Sequence, residues 1–343
     1  MSQVKLSICM PTYNFGAFIG ATLDSIVPQL QAGVELVILD GGSTDHTERV
    51  VQPYVDKYPQ VTYVRQASRG GIDRDMARTV DLARGEYCWL FSSDDMMKPG
   101  ALQRVLGEIG SGLDLYLCGL TLCDGRMGVL SEHSVSSAAW GSIFDLGDAT
   151  QRAEYFAHAQ TTTAIFSFMG SIIFRRSRWQ EHSLEEKYVG SCWAHVVRIL
   201  RMITKGLKVK YLGESLLLKR GENDSFMDKG IVHRFALAID GYHRIAADVF
   251  GDDSVEALHM RRVIANEFPL RAMIFTRVHL RDQNRVAEIP ELNRLAATTY
   301  RDPTLLNFFR RAGYHLIVDT AYKVARSIYR TLRRYGLAPA RKA

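Results

Sequence analysis

An apolar run closes on two adjacent carboxylates in Cys88-Trp89-Leu90-Phe91-Ser92-Ser93-Asp94-Asp95. Neighbouring carboxylates repel, and water, a counter-charge or a bound cation has to relieve them. Two readings are open: a solvated turn leading through Pro99 into the helical pattern "ALQRVL", or a site for a divalent cation. Two earlier apolar runs end in polar clusters of the same kind, Pro11-Thr12-Tyr13-Asn14 and Asp40-Gly41-Gly42-Ser43. Glycine in the second cluster permits a tight turn and close approach of a ligand to the backbone. Three clusters, two of them acidic, form a candidate site only if the fold gathers them.

The surrounding pattern predicts that it does. "LSICMP" (6–11), "VELVILDG" (34–41), "VTYVRQ" (61–66) and "YCWLF" (87–91) read as strands. "FIGATLDSIVPQL" (18–30), "STDHTERVVQPYV" (43–55) and "DMARTVDLA" (75–83) read as helices, the second opening with Asp45 three residues before Glu48, like a capping box. Strand and helix alternating in this way imply right-handed crossovers and a mainly parallel α/β sheet. Ligands of such sheets bind outside the carboxyl ends of the strands, where all three clusters lie. Further on, strands are expected at 113–120, 170–176 and 208–220, a polar stretch from Ser131 to Asp148, and a helix at 193–203. Beyond Phe226 the pattern is wholly helical, so the expected division is 1–225 and 226–343.

The totals bound the function. Of 343 residues, 47% are hydrophobic and 23% charged, enough for a sizeable core and more than one domain. The net charge of +6 is concentrated at the C-terminus, where nine Lys or Arg and the single acid Asp319 fall between Phe308 and Ala343. There, Ile317, Ala321, Val324, Ile328 and Leu332 form an apolar stripe flanked by Arg326, Arg330, Arg333 and Arg334. Such a helix can lie on an anionic membrane face or pack on the preceding helices. An acidic sheet edge with the basic excess at the tail argues against a nucleic-acid-binding module. Five cysteines without a C-x-x-C fit buried thiols in a reducing compartment. No stretch reaches the ~18 apolar residues of a membrane span and no signal-peptide pattern opens the chain, so a cytoplasmic location is expected.

"ICMPTYN", "VILDGGSTDHT", "ARGEYCWLFSSDD" and the helix after Pro99, in that order, resemble the nucleotide-binding half of family 2 glycosyltransferases of the GT-A fold. "SCWAHVVRIL" and "GLKVKYLGESLLLKR" are similar to the acceptor-side helix and returning strand. "GGIDRDMARTVDLARGEYCWLFSSDD" and "RGENDSF" look closest to abequosyltransferase-like enzymes of O-antigen assembly. The resemblance implies a Rossmann-like α/β fold with a helical C-terminal extension. It implies transfer of a sugar from a UDP-, CDP- or dTDP-linked donor to a polyprenyl-diphosphate-linked glycan, at the inner face of the plasma membrane. The rival readings are a nucleotidyltransferase and a degenerate transferase. The first normally carries a basic Gly-rich loop over its triphosphate, and "PTYNFGAF" has no Lys or Arg.

Transfer of this kind needs the leaving diphosphate neutralised, which a hard cation held by one or two carboxylates does by bridging phosphate oxygens. The resemblance assigns Asp95 to the metal, with Asp94 beside it on the ribose or a metal-bound water. Ser93 stands where many relatives have another acid, leaving Mg²⁺ and Mn²⁺ both open. Asp40 is expected on the base or ribose, or else as an acid favoured by the dipole of the next helix. Pro11, Thr12 and Tyr13 are expected to line the base pocket. Asp73 and Arg74 are expected in a loop that closes over the nucleotide, Arg74 on a phosphate, unless both are solvated charges. Arg220 and Asn223 follow the last strand, where diphosphate or acceptor contacts are expected, though a simple turn would also use Gly221 and Asn223. Inverting relatives carry Glu-Asp at the start of the acceptor-side helix, and here Ser191-Cys192 fill that place. His195, one turn on, is the remaining candidate base; the alternative is a retaining reaction without one.

Overall fold

The computed structural model describes residues 4–300 and 302–310, together with Thr320, Ala321, Lys323 and Val324. The chain divides into two compact units, one ending at Asn223 and one starting at Asp224.

The first unit is built on one sheet in the order β3-β2-β1-β4-β9-β6-β10-β5. In chain order its elements are β1 (Leu6–Thr12), α1 (Ile19–Ile26), β2 (Val34–Asp40), α2 (Thr47–Lys57), β3 (Val61–Arg65), α3 (Ile72–Leu82), β4 (Tyr87–Leu90), β5 (Met96–Met97) and α4 (Ala101–Ile109). Then follow β6 (Leu115–Cys123), β7 (Val129–His133), β8 (Ile143–Asp145), α5 (Ala149–His158), β9 (Ile172–Arg175), α6 (Arg176–Gln180), α7 (Ala194–Met202) and β10 (Lys208–Lys219). All seven residues of β1 and of β2 are buried, as continuous apolar runs require when both faces of a strand are covered. One face packs on α1 and α4, with Leu6, Ile8 and Met10 meeting Leu23, Ile26, Leu102 and Val105. Residues of α3 are absent from that cluster, and α3 packs on β1 and β2.

β3, β2, β1 and β4 run parallel, as expected. The later strands are mixed: β9 is antiparallel to β4 and to β6, while β10 returns parallel to β6. The order 3-2-1-4 makes β1 and β4 neighbours that continue in opposite directions across the sheet. This switch point opens a crevice at their carboxyl ends, where two of the polar clusters lie. The stretch expected to be polar, Ser131 to Asp148, contains the end of β7 and all of β8; β7 pairs with β6, and β8 with β10.

Ser7 and Glu35 interrupt the apolar runs. Ser7 Oγ donates to Glu35 Oε1 at 2.7 Å, and the same carboxylate takes the Arg84 backbone N–H at 2.7 Å and Nε at 2.8 Å. Gly85 N–H donates to Ser7 Oγ at 2.8 Å, and a Cβ on Gly85 would come 2.6 Å from Ser7 N. This knot ties the β4 entry to the amino ends of β1 and β2.

The second unit comprises α8 (Ile231–Phe250), α9 (Val255–Glu267), α10 (Leu270–Asp282), α11 (Ile289–Thr299) and α12 (Pro303–Arg310). α8 buries Val232, Phe235, Ile239, Tyr242 and Ala246, a stripe at helical spacing, and packs on α9 and α11. The basic amphipathic helix expected at the tail lies outside the described residues apart from Thr320, Ala321, Lys323 and Val324.

Glu35→Ala leaves the Ser7 hydroxyl and the Arg84 amide without their acceptor, at a cost of about 2 kcal/mol. Urea denaturation is expected to show that loss. Ligand binding at the opposite sheet edge is expected to be unchanged.

Candidate functional site

Asp94 and Asp95 follow β4 and meet the end of β10. Asp95 is 2% exposed, and its Oδ1 accepts the Arg220 backbone N–H at 2.8 Å. Asp94 takes Ser92 Oγ on Oδ1 and Asn223 Nδ2 on Oδ2, the latter at 2.9 Å. The Arg220 side chain turns to carbonyls instead of carboxylates: Nε donates to Asp94 O at 2.9 Å and one terminal nitrogen to Gly125 O at 2.8 Å. Its guanidinium lies 5.1 Å from the centre of the Phe18 ring. Burial, and then the charge of Asp94, push the Asp95 carboxyl up to about 8, against the opposing pull of Lys219 and Arg220. Ser93 is buried beside them. The structure thus brings Ser93, Asp94, Asp95, Arg220 and Asn223 together at one strand end.

The ends of β1 and β2 form the neighbouring stretch of the rim, with Thr12 in register with Asp40. Pro11 and Thr12 are buried, and Thr12 Oγ1 has no hydrogen-bond partner among the described residues. Asn14, at φ 58°, stitches the two loops: its N–H donates to Ser43 Oγ at 2.8 Å and its Oδ1 accepts the Thr44 N–H at 2.8 Å. Asp45 adds a second stitch, accepting the Gly16 N–H at 3.0 Å and the Thr47 N–H at 2.9 Å. Glu48 reaches Arg65 at 3.6 Å instead of closing a capping box. Tyr13 lies under the Arg69 guanidinium, 4.2 Å from its ring centre.

Asp40 departs from its expected role. It is 0% exposed, its Oδ1 accepts the Ser43 N–H at 2.7 Å, and its Oδ2 accepts the Tyr63 hydroxyl at 2.5 Å. Both oxygens take a donor in shaping the loop after β2.

Asp73 and Arg74 stand in the first turn of α3, not in a loop. Asp73 is 3% exposed and accepts three backbone N–H groups from the entry to α7: Gly190 at 2.8 Å, Cys192 at 3.1 Å and Ala194 at 3.1 Å. The α7 N-cap, Trp193, has no side-chain cap of its own. Asp73 supplies one across 121 residues of sequence, and its charge favours the positive end of the helix dipole. Arg74 forms a two-pronged ion pair with Glu186 at 2.9 and 2.6 Å on the surface, where a phosphate contact had been expected. His195 is 4% exposed, with Nε2 at 3.3 Å from Ser167 O. Burial lowers its pKa against the opposing charge of Asp73. A base must reach the proton it takes, and this buried ring belongs to the packed interior of α7.

Sequence reasoning missed Asp75, two residues beyond Asp73 in the same turn and equally buried. The available signal was the pair of glycines, Gly41 and Gly70, whose missing side chains make room for it.

Residues 7–176 match the profile described as "Glycosyl transferase family 2". The chain is 28% identical over 270 residues to abequosyltransferase RfbV of Salmonella typhimurium, covering 77% of this chain and 81% of that protein. Among solved structures, S. aureus TarS 1–349 in complex with UDP-GlcNAc superposes with a TM-score of 0.59 at 18% identity, over 94% of this chain and 92% of the other. The mannosyltransferase PcManGT from Pyrobaculum calidifontis, in complex with GDP-Man and Mn²⁺, gives 0.51 at 15% identity, over 96% and 87%. At these identities the solved structures speak to the fold alone.

The cap on α7 makes a measurable statement. Asp73→Ala strands three amides, that of Ala194 buried, and is expected to destabilise the protein by about 1–2 kcal/mol. Asp73→Asn keeps an acceptor and is expected to cost less than half of that, with thermal denaturation as the measure. Equal melting of both variants and the parent would remove the capping role.

Proposed function

Because residues 7–176 place this chain in glycosyl transferase family 2, we propose that this glycosyltransferase takes its sugar from a nucleoside diphosphate donor. The acceptor in this reading is a growing surface glycan of the O-antigen type on a polyprenyl-diphosphate carrier. The acid pair Asp94-Asp95, held at the β4 end by Arg220 and Asn223, is the observation that carries it. Likeness to an abequosyltransferase over most of that protein's length supports the O-antigen side.

The acid pair fits a divalent cation. Two buried neighbouring carboxylates receive no ion pair from Arg220, and Asp95 Oδ2 accepts no hydrogen bond among the described residues. No group of three or more metal-ligating side chains occurs among those residues. Mg²⁺ asks for no such group, since it is commonly held by one or two carboxylates with substrate phosphates and water. Asp95, with Asp94, would hold Mg²⁺ or Mn²⁺, whose contribution when bound is to neutralise the leaving diphosphate. The Arg220 backbone orients Asp95, and Asn223 orients Asp94. Thr12 and Tyr13 line the adjoining end of β1.

A second reading, a sugar-nucleotide-binding protein that no longer transfers, draws on the α7 entry. Ser191 and Cys192 stand there, and the carboxylate that reaches the turn, Asp73, is saturated by amides. Turnover of a nucleotide-sugar with a lipid-linked acceptor separates the two.

No helix among the described residues is long and apolar enough to cross a membrane. Contact with the inner face of the plasma membrane falls, in this reading, to the basic stripe near the C-terminus.

Asp95→Asn is expected to reduce transfer by at least about a hundredfold while leaving the melting temperature unchanged or higher, since it removes the cost of burying an acid beside Asp94. EDTA is expected to abolish wild-type turnover and Mn²⁺ to restore it; undiminished turnover in EDTA would remove the cation from the scheme. Deleting residues 314–343 is expected to release the protein from membrane fractions. Continued sedimentation with membranes would show that the tail is not the anchor.

A further inference from the structure

The end of β2 holds a second acid, and its surroundings are arranged around it. Asp75 is 3% exposed, and its Oδ1 accepts Gln66 Nε2 at 2.6 Å. Its Oδ2 accepts no hydrogen bond among the described residues. A Cβ on Gly41 would come 2.8 Å from that Oδ2, and one on Gly70 would come 2.6 Å from Oδ1. Neither glycine has the positive φ that would demand glycine for the backbone's sake. Both are therefore explained by the space the carboxylate occupies.

The two faces of the sheet separate Asp75 from Asp40. Leu36 and Ile38 point into the cluster with α1 and α4, and alternation carries Asp40 to that same side, where Tyr63 holds it. Gly41, one residue on, faces Asp75 of α3. On this side Arg69 acts on Asp75 through its charge, while its guanidinium stacks on the Tyr13 ring at 4.2 Å. Burial and the charge of Asp40 raise the Asp75 pKa, with Gln66 and Arg69 pulling the other way. Leaving a carboxylate oxygen both dry and without a donor costs free energy that a ligand N–H would return. A stacking ring, a planar cation and a lone acceptor suit a flat heterocycle with an N–H on its edge.

We propose that Asp75 reads the nucleobase of the donor, Oδ2 accepting a hydrogen bond from a ring or exocyclic N–H of a base that packs along Tyr13 and Arg69. This rests on the donor reading given above and assigns base recognition to a residue other than Asp40. Gln66 is a positioning residue, fixing Oδ1 so that Oδ2 faces the base.

Calorimetric titration of the full chain with UDP, CDP, dTDP, GDP and ADP, and with inorganic diphosphate, all with Mn²⁺, tests it. One or more nucleoside diphosphates is expected to bind more tightly than inorganic diphosphate. In Asp75→Asn, Gln66 retains the amide oxygen, so the NH₂ faces the base N–H. Affinity for the preferred nucleotide is expected to fall about tenfold to a hundredfold, with inorganic diphosphate unchanged. Gln66→Leu keeps the acid but frees it, and is expected to weaken the same nucleotide about threefold to tenfold, which preserves the test if the first variant folds poorly. If the wild type ranks the bases and either folded variant keeps its full affinity and ranking, base reading by Asp75 is overturned. If no nucleoside diphosphate outbinds inorganic diphosphate in the wild type, the donor reading falls and this assignment falls with it.

Discussion

Two carboxylates buried next to each other set the terms for the whole sheet edge. Arg220 lies beside both Asp94 and Asp95, but no direct ion pair joins them among the described residues. The chain presents dipoles instead: the Arg220 N–H, the Asn223 amide and the Ser92 hydroxyl, while the guanidinium is spent on two carbonyls. Dipoles orient a carboxylate without cancelling its charge, and within the protein only the more distant charges of Lys219 and Arg220 work against the repulsion. The elevated Asp95 pKa is the electrostatic expression of that deficit.

Topology explains how residues so far apart in sequence share one rim. β1 and β4 are parallel neighbours, so Thr12 and the Asp94-Asp95 turn emerge at the same edge. β10 reaches it through β6, with which it runs parallel and is bulged between Tyr211 and Ser215, and Arg220 arrives 125 residues after Asp95. Gly41 N–H on Thr12 O and Phe91 N–H on Cys9 O, both at 2.9 Å, extend the ladders past the last strand residues and stiffen the rim. Asn14 and Asp45 then join the first two loops, so the acids sit on braced backbone.

Much of this is legible in the sequence alone, and the limits have a physical pattern. Continuous apolar runs marked β1, β2 and β4 because burial on both faces is written into each residue. The acid clusters were visible because they interrupt those runs. Strand direction in the later half was not visible: the apolar content of β6 and β9 says they are buried, not which way they pair, so the sequence assigns the later strands no direction. Roles that depend on a distant partner were equally hidden. Nothing local to "GGIDRDM" shows that Asp73 caps a helix more than a hundred residues later, or that Arg74 meets Glu186 across 112 residues. Asp40 looked like a ligand contact because it ends a strand, and only the Tyr63 hydroxyl reveals its structural employment.

A count of donors on each oxygen sorts these acids by task. Glu35, Asp40 and Asp73 have a hydrogen-bond donor on both carboxylate oxygens, and each ties together segments that would otherwise part. Asp95 and Asp75 have a donor on Oδ1 and none on Oδ2 among the described residues, although both are just as buried. Burial with full satisfaction stabilises a fold; burial with one oxygen left over costs free energy in the empty state. Such a cost persists where a bound ligand removes it. By this measure the two acids proposed to meet the donor lie on either side of β1, Asp95 at the β4 end beside the doubly bonded Asp94 and Asp75 under β2. That separation matches a donor laid across the sheet edge, its charged end and its heterocycle met by different strands.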